Sequence, residues 1–203
     1  ITDSEKVEAF FAEVKPSIIY HCAAYTAVDA AEDEGKELNY KINVMGTENV
    51  AKAAAKYDAT LVYISTDYVF EGQKPVGLEL EVDEPANPQT EYGRTKRLGE
   101  EAVEKYAGKF YTVRTAWVFG NYGKNFVFTM QNLAETRDTL GVVNDQFGRP
   151  TWTRTLAEFM VHLVETKQDF GYYHLSNDSE KGISWYDFAK EILKDKDVTV
   201  NPV

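Results

Sequence analysis

Uninterrupted apolar runs alternate with helical periodicity along this chain. Three runs rich in β-branched and aromatic residues predict strands that are covered on both faces, as in a parallel sheet; they occupy residues 15–24, 60–66 and 110–119. Apolar positions at helical spacing predict helices over about residues 4–14, 35–57, 92–106, 125–137, 153–166 and 184–195. Strands that alternate with helices are typical of a doubly wound α/β sheet, which is the fold class that we expect.

Two short segments directly follow predicted strands and are candidates for ligand binding. Residues 23–26 follow the first strand, and residues 65–67 close the second. Ligands of doubly wound sheets bind beyond the carboxyl ends of the strands, so we expect the chemistry at these two places. The proline-containing stretch 71–91 predicts a loop that forms a flap over the site.

The charge balance narrows the classes of partner. The 203 residues carry a net charge of −11, with a pI near 4.8, which argues against nucleic acid or an anionic membrane as partner. An anionic ligand would then be met by local cations, for which Lys96, Arg94 and Arg149 are the candidates. No segment has the apolar length of a membrane span, and no signal sequence is visible.

The candidate chemistry lies in a tyrosine and a lysine four residues apart. Tyr92 and Lys96 share one face of a predicted helix, where the ammonium group is expected to lower the pKa of the phenol towards neutrality. The same spacing recurs at Tyr186 and Lys190, in an amphipathic helix where we interpret the tyrosine as packing and the lysine as solvated. Only the first pair follows a strand that ends in a hydroxyl, Thr66, and this hydroxyl completes a set of groups able to exchange a proton with an alcohol or ketone oxygen.

These residues lie within a broader resemblance. The chain resembles the extended short-chain dehydrogenase/reductases and, within them, the dTDP-4-dehydrorhamnose reductases. The stretches that carry the resemblance are residues 21–29, 43–47, 65–72, 88–96, 114–120 and 144–151. The most specific are Ser-Thr-Asp-Tyr-Val-Phe at 65–70 and Asp-Gln-Phe-Gly-Arg-Pro-Thr at 145–151.

The resemblance implies a Rossmann-like NAD(P)-binding fold and the reduction of a nucleotide-sugar ketone by NADPH or NADH. Tyr92 would donate the proton to the 4-keto oxygen of dTDP-4-dehydro-L-rhamnose, and Lys96 would also bind the nicotinamide ribose. Thr66 would bind the substrate oxygen, and Asp67 and Trp117 would contact the sugar. The residues expected along the cofactor are Ala23, Ala24, Tyr25 and Thr26, together with Tyr92 and Lys96. Asn43 is expected to help hold Lys96 through a backbone or water bridge.

Each assignment has a structural alternative. Thr66 is also suited to cap the turn after its strand, and Asp67 is a common turn residue. For Trp117 the alternative is a place in the core. His21 lies within a strand, and we interpret it as a histidine whose hydrogen bonds are satisfied inside the sheet rather than as a base.

Members of the resembled family begin with a glycine-rich cofactor turn and continue beyond the point where this sequence stops. We therefore expect an internal fragment, inactive by itself, of a cytoplasmic enzyme. Residues 1–140 would form the Rossmann-like core without its N-terminal part. Residues 141–203 would form a mixed core and substrate-binding region. A small substrate-side lobe is expected to accompany the sheet.

Metal binding and dimer formation are two properties in which we expect this chain to differ from the resembled family. Some of its members bind magnesium through glutamates at a dimer interface, whereas Arg154 stands near the position of one such glutamate. Because a cation repels magnesium, we expect no metal site and a monomer or weak homodimer.

Two other functions remain open from the sequence. A nucleotide-sugar epimerase or dehydratase with tightly bound NAD would need further acid or base residues, for which Asp67 is the candidate. A non-catalytic regulatory subunit of methionine adenosyltransferase would have no need of Tyr92, Lys96 and Thr66 together.

Overall fold

The structure, a computed structural model, describes residues 1–203 and divides into two units. The first unit comprises residues 1–73, 80–115 and 160–174, and the second comprises residues 74–79, 116–159 and 175–203. The units are therefore interleaved along the chain. The functional division into residues 1–140 and 141–203 stays a prediction.

A four-stranded sheet forms the centre of the first unit, in the order β1-β2-β3-β8. The strands are Ile18–His21 (β1), Thr60–Thr66 (β2), Phe110–Thr115 (β3) and Gly171–Leu175 (β8). β1 pairs with β2 and β2 pairs with β3, both in parallel, as the continuous apolar runs predict. β2 is buried at five of its seven positions, which is why its sequence shows no alternation.

Helices cover this sheet, as the periodicity predicts. They are Ser4–Val14 (α1), Lys36–Tyr40 (α2), Thr47–Lys56 (α3) and Glu91–Tyr106 (α4). Small residues of α3, such as Ala51 and Ala54, pack with Phe11 of α1 and with Leu61 and Tyr63 of β2 in one apolar cluster. Close packing of small against large side chains thus fixes the helix layer on the sheet.

Two predicted elements are interrupted. The helix expected over about residues 35–57 contains a π-helical segment, Lys41–Gly46, between α2 and α3. The strand expected over 110–119 ends at Thr115, and only Val118–Phe119 (β4) resumes extended pairing, with another partner. The break lies at Trp117, whose φ of 46° is left-handed and incompatible with a strand.

The second unit is built from short paired strands and two helices. The strands, besides β4, are Thr139–Val142 (β5), Phe147–Gly148 (β6), Thr151–Trp152 (β7), Ile183–Ser184 (β9) and Thr199–Pro202 (β10). β4 pairs with β7, β5 with β10, and β6 with β9. The helices are Phe126–Ala134 (α5) and Trp185–Ile192 (α7), which pack around Met130, Leu140 and Leu193.

One further helix, Thr153–Glu165 (α6), begins in the second unit and ends in the first. None of the helices combines the length and the hydropathy that crossing a lipid bilayer requires.

Candidate active site

The candidate site lies at the carboxyl ends of neighbouring parallel strands. β1 ends at His21 and β2 at Thr66, so residues 23–26 and Asp67 follow at the same edge of the sheet. His21 itself is buried, with Nε2 3.0 Å from the Thr47 hydroxyl, and burial lowers its pKa to about 3. It is therefore the satisfied sheet histidine that the sequence predicts.

Tyr92 lies in the first turn of α4. The Thr90 hydroxyl caps this helix by accepting from the Gly93 N–H at 3.0 Å, which fixes where the first turn begins. The Tyr92 ring contacts Tyr68 edge-on, with 5.6 Å between ring centroids. Burial raises the pKa of Tyr92 to about 12, although the Thr66 hydroxyl beside it opposes this rise. The phenol is consequently protonated at neutral pH and can act as a proton donor.

Lys96 is buried one turn later, with 2% of its surface exposed. Its Nζ donates to the Ile64 carbonyl at 2.7 Å and lies 4.2 Å from the centroid of the Tyr63 ring. Burial lowers the pKa of Lys96 to about 7. The ammonium group thus points at strand β2, and the pKa of Tyr92 is raised rather than lowered, because desolvation of the phenol outweighs any effect of the lysine.

Thr66 and Asp67 form the turn at the end of β2. The Thr66 hydroxyl accepts from the Tyr68 N–H at 3.2 Å and donates to Asp67 Oδ1 at 3.1 Å. Burial raises the pKa of Asp67 to about 6. Thr66 therefore has the turn-capping role that the structural alternative foresees, and contact with substrate stays a prediction for both residues.

The segment after β1 presents small side chains and is held through its backbone. Ala23 and Thr26 are exposed, and Ala24 is half-buried. The Asn43 side chain binds both backbone groups of Tyr25. Its Oδ1 accepts from the Tyr25 N–H at 2.8 Å, and its Nδ2 donates to the Tyr25 carbonyl at 3.0 Å. These two hydrogen bonds fix the backbone of Tyr25 next to Ala23 and Ala24.

Asn43 also connects this segment to the helix of Tyr92. Its Nδ2 lies 2.8 Å from Asn39 Oδ1, which accepts from the Thr95 hydroxyl at 2.9 Å. The side-chain hydrogen bonds of Asn43 run to Tyr25, Asn39 and Thr95, and its expected backbone or water bridge to Lys96 stays a prediction. Asn39 and Thr95 were not identified from the sequence as part of this network. The sequence feature that could have indicated it is the spacing of Asn39 and Asn43, four residues apart on a buried helix face, because buried amides need hydrogen-bond partners.

Trp117 belongs to the second unit. Its indole stacks on Trp185, with 3.5 Å between centroids and an angle of 7° between ring planes. A Cβ atom at Gly148 would lie 2.4 Å from Trp117 Cε2, so this glycine makes room for the indole. A left-handed tryptophan costs about 1–3 kcal/mol and persists where the surroundings hold it, so its strain is consistent with a functional position. The sugar contact expected of Trp117 stays a prediction.

Of the cations expected to meet an anionic ligand, the two arginines form ion pairs with glutamates and Lys96 is buried. Arg94 pairs with Glu91 at 2.8 Å, and Arg149 pairs with Glu79 at 3.0 Å. Arg154 pairs with Glu158 at 2.7 Å on the surface of α6. No group of three or more His, Cys, Asp or Glu side chains is arranged to hold a metal ion.

The second tyrosine–lysine pair has the structural role that the sequence predicts. The Ser184 side chain caps α7 in a reciprocal arrangement with Asp187. Tyr186 packs with the apolar cluster of the second unit, while Lys190 is exposed.

Comparison with known proteins gives a consistent picture. A family model described as the RmlD substrate binding domain matches residues 1–203. The chain is 42% identical over 198 residues to the spore coat polysaccharide biosynthesis protein SpsK of Bacillus subtilis (strain 168), covering 96% of this chain and 66% of that protein. It is 39% identical over 198 residues to a dTDP-4-dehydrorhamnose reductase of Aggregatibacter actinomycetemcomitans, covering 95% and 66% respectively.

Among solved structures, the dTDP-4-dehydrorhamnose reductase of Bacillus anthracis str. Ames in complex with NADP superposes with a TM-score of 0.94 at 42% identity. The match covers 100% of this chain and 71% of that one. The likeness confirms the expected α/β, Rossmann-like fold class. The chain spans 66% of the length of the two curated relatives.

Proposed function

The chain belongs to the family of the RmlD substrate binding domain, and from this membership we propose that the protein reduces the 4-keto group of dTDP-4-dehydro-L-rhamnose to give dTDP-L-rhamnose. Relatives that are about 40% identical carry the name of this reductase. The observation that supports the proposal most directly is a half-buried, protonated Tyr92 phenol beside the Thr66 hydroxyl at the carboxyl ends of the strands.

The residues after β1 fit a nicotinamide cofactor, NADPH or NADH. Ala23 and Ala24 carry no bulk that would obstruct a flat ring or a ribose, and Asn43 holds the adjoining Tyr25 backbone in place. Tyr25 and Thr26 would continue this surface, and Lys96 and Tyr92 would bind the ribose. When bound, the reduced cofactor supplies the hydride. A relative that is 42% identical was solved with NADP, which supports this choice.

The proton would come from Tyr92. A phenol with a pKa of about 12 remains protonated throughout the neutral range, so it can donate to the alkoxide oxygen that develops as the ketone is reduced. Thr66 would orient the substrate oxygen, for which its single hydroxyl hydrogen would turn away from Asp67. Lys96 would stabilise the resulting Tyr92 phenolate through its positive charge, which is present below a pH of about 7.

Asp67 and Trp117 would contact the sugar. An Asp67 carboxyl with a pKa of about 6 can donate or accept a hydrogen bond near neutral pH. The Trp117 indole would offer an apolar wall with one N–H donor. The nucleotide sugar would be the principal partner of a cytoplasmic monomer or weak homodimer that binds neither nucleic acid nor membrane.

Family membership favours the reductase over the other candidate functions. The relatives named above include reductases and a polysaccharide biosynthesis protein. A regulatory subunit would have no use for the proton donor described here.

The test is oxidation of NADPH by the full-length protein in the presence of dTDP-4-dehydro-L-rhamnose. We expect keto-sugar-dependent turnover, and we expect Tyr92→Phe to lower kcat by about a hundredfold or more because the proton donor is lost. Tyr186→Phe is the matched control, since Tyr186 belongs to the second tyrosine–lysine pair and packs in the other unit; it should retain activity. Full activity of Tyr92→Phe would refute the role of Tyr92, and the absence of keto-sugar-dependent turnover would refute the reductase.

A further inference from the structure

A buried ion pair lies below the candidate site and has no part in the proposed proton transfer. Arg114 of β3 and Glu100 of α4 are 4% and 0% exposed at their side chains. Two parallel hydrogen bonds join them, from Nε to Oε1 at 2.8 Å and from Nη2 to Oε2 at 2.9 Å. This two-point geometry fixes the angle between the partners as well as their distance.

The remaining arginine nitrogen reaches the loop predicted as a flap. Arg114 Nη1 donates to the Val82 carbonyl at 3.1 Å and lies 3.4 Å from His174 Nε2. His174 Nδ1 lies 3.1 Å from the Leu80 carbonyl, which can only accept. The Nδ1 atom therefore carries the hydrogen, and Nε2 of the neutral ring accepts from Arg114.

Arg114 thereby ties together strand β3, helix α4 and the loop segment 80–82. Its guanidinium also contacts two aromatic rings, 4.9 Å from the centroid of Phe70 and 4.6 Å from that of Tyr172. Each direction around the planar group has a partner, an arrangement that an ammonium group could not reproduce.

The position of the pair relates it to the catalytic candidates. Tyr92, Lys96 and Glu100 follow at intervals of four residues and therefore share one face of α4. Arg114 is in register with Ser65 on the neighbouring strand, and the next registered pair is Thr66 with Thr115. The ion pair thus connects the face of α4 that carries Tyr92 to strand β3, at a position beside the end of β2 that carries Thr66.

A contribution to the stability of the fold does not explain why Arg114 and Glu100 form a buried ion pair. Buried ion pairs lose about as much free energy by desolvation as they gain by attraction, and well-packed apolar replacements are often neutral or stabilising. A fixed geometry is the more specific consequence. The Glu100 carboxylate also raises the pKa of Lys96 against the effect of burial, so it supports the charge of the lysine one turn away.

We propose that Arg114 and Glu100 are positioning residues, which hold helix α4 and the loop segment 80–82 so that Tyr92 stays beside Thr66. This inference rests on the proposed reductase function. It adds a requirement that the proton donor be placed by a buried ion pair two helical turns away.

Two sets of variants of the full-length protein separate position from stability. In the double variant Glu100→Met/Arg114→Met, apolar side chains replace both charges, and its thermal midpoint is measured beside its activity because the Val82 carbonyl and Arg97 each lose a partner. In Arg114→Lys the charge remains but the two-point geometry is lost. For both we expect kcat to fall by about tenfold to a hundredfold, because a misplacement on the order of 1 Å has this effect. In Arg114→Lys, which keeps Glu100, KM for NADPH should stay unchanged, as for an interaction expressed only in the transition state.

Amide hydrogen exchange supplies a readout that does not depend on turnover. We expect faster exchange in both variants at residues 80–82 and in the first turn of α4. If the double variant fails to fold, Arg114→Lys decides alone. Wild-type kcat in a folded variant would overturn the inference, and so would unchanged exchange at these segments. An inactive wild type would refute the reductase instead, and exchange would still test the positioning role.

Discussion

At the scale of single residues, the candidate site depends on how burial competes with specific contacts. Lys96 loses hydration almost completely, yet its ammonium group retains the Ile64 carbonyl and the face of the Tyr63 ring. Burial dominates, and the pKa of Lys96 falls from 10.5 to about 7. Tyr92 responds to burial in the opposite direction, because its charged form is the deprotonated one.

The lowered pKa of Lys96 predicts a dependence of stability on pH. Between pH values of about 7 and 10.5 the unfolded state binds the proton more tightly than the folded state, so the free energy of unfolding rises with pH over this range. The contribution is lost as the pH falls through about 7. The free energy of unfolding of the wild type, relative to that of Lys96→Met, should therefore rise on the order of a few kcal/mol as the pH is raised from about 7 to about 10.5.

Urea unfolding at a series of pH values measures this difference. Lys190→Met is the matched control, because Lys190 is exposed on α7, and it should follow the wild type at every pH. A constant difference between wild type and Lys96→Met would contradict the prediction.

The placement of Trp117 depends on a single glycine. At Gly148 a Cβ atom would lie 2.4 Å from Cε2 and 2.6 Å from Nε1 of the indole. Gly148→Ala should therefore displace the indole from Trp185 and cost about 1–3 kcal/mol, as overpacking generally does. Near-ultraviolet circular dichroism reports the stacked pair and should lose its tryptophan coupling signal.

Gly141→Ala is the control for this change. The added Cβ there would meet only the side chain of Val203, at 3.1 Å, which can yield. An unaltered tryptophan signal in Gly148→Ala would show that the indole does not depend on the space that this glycine leaves.

At the scale of elements, helix α4 is approached by the backbone of its neighbours at two glycines. A Cβ at Gly93 would lie 2.2 Å from the Tyr68 carbonyl oxygen. One at Gly99 would lie 2.4 Å from the Tyr63 hydroxyl and 2.8 Å from the Asn43 carbonyl oxygen. The helix that carries Tyr92 and Lys96 can lie this close to Tyr68 and to the π-helical segment because Gly93 and Gly99, respectively, have no side chain.

Gly99→Ala should therefore destabilise the protein even though alanine favours helix by about 1 kcal/mol. We expect a net loss of about 1–3 kcal/mol in the free energy of unfolding, because the backbone of residue 43 cannot yield as a side chain would. Denaturant unfolding measures the loss, with Glu101→Ala, an exposed position of the same helix, as a near-neutral control. A stabilised Gly99→Ala variant would show that helix propensity outweighs the close approach.

The elements themselves were largely predictable, because their signals are local. Continuous apolar runs identify β1, β2 and β3, and helical periodicity identifies α1 and α4. The π-helical segment around Asn43 was not predictable, since one extra residue in a helical turn leaves the apolar periodicity nearly intact. The end of β3 was missed because the residues after Thr115 are as apolar and aromatic as a strand.

The residues of the candidate site could be predicted from the sequence, but the hydrogen bonds between them could not. The spacing of Tyr92 and Lys96 and the strand end at Thr66 follow from the sequence. The direction of the Lys96 ammonium group and the Asn43 grip on Tyr25 depend on tertiary packing, to which no local pattern corresponds.

At the scale of the whole molecule, the charge of this chain opposes its proposed ligands. Asp and Glu number 33 against 22 Lys and Arg, which gives a net charge of −11. The arginines that the sequence offers for an anion are paired with acidic side chains, as Arg94 is with Glu91 and Arg149 with Glu79. A dinucleotide or a nucleotide sugar would therefore approach through a repulsive field.

Screening of this field predicts an unusual salt dependence. From about 0.01 M to about 0.15 M ionic strength the Debye length falls from about 30 Å to about 8 Å, so long-range repulsion weakens while contacts inside the site persist. We expect kcat/KM for the nucleotide sugar to rise by a factor of roughly a few over this range, with kcat unchanged, because association becomes faster. Steady-state kinetics of the full-length protein in sodium chloride measure this, with a matched sucrose series as the control for viscosity. If kcat/KM falls instead, attraction by local cations outweighs the net charge, and loss of that fall in Arg149→Gln would identify Arg149 as the cation responsible.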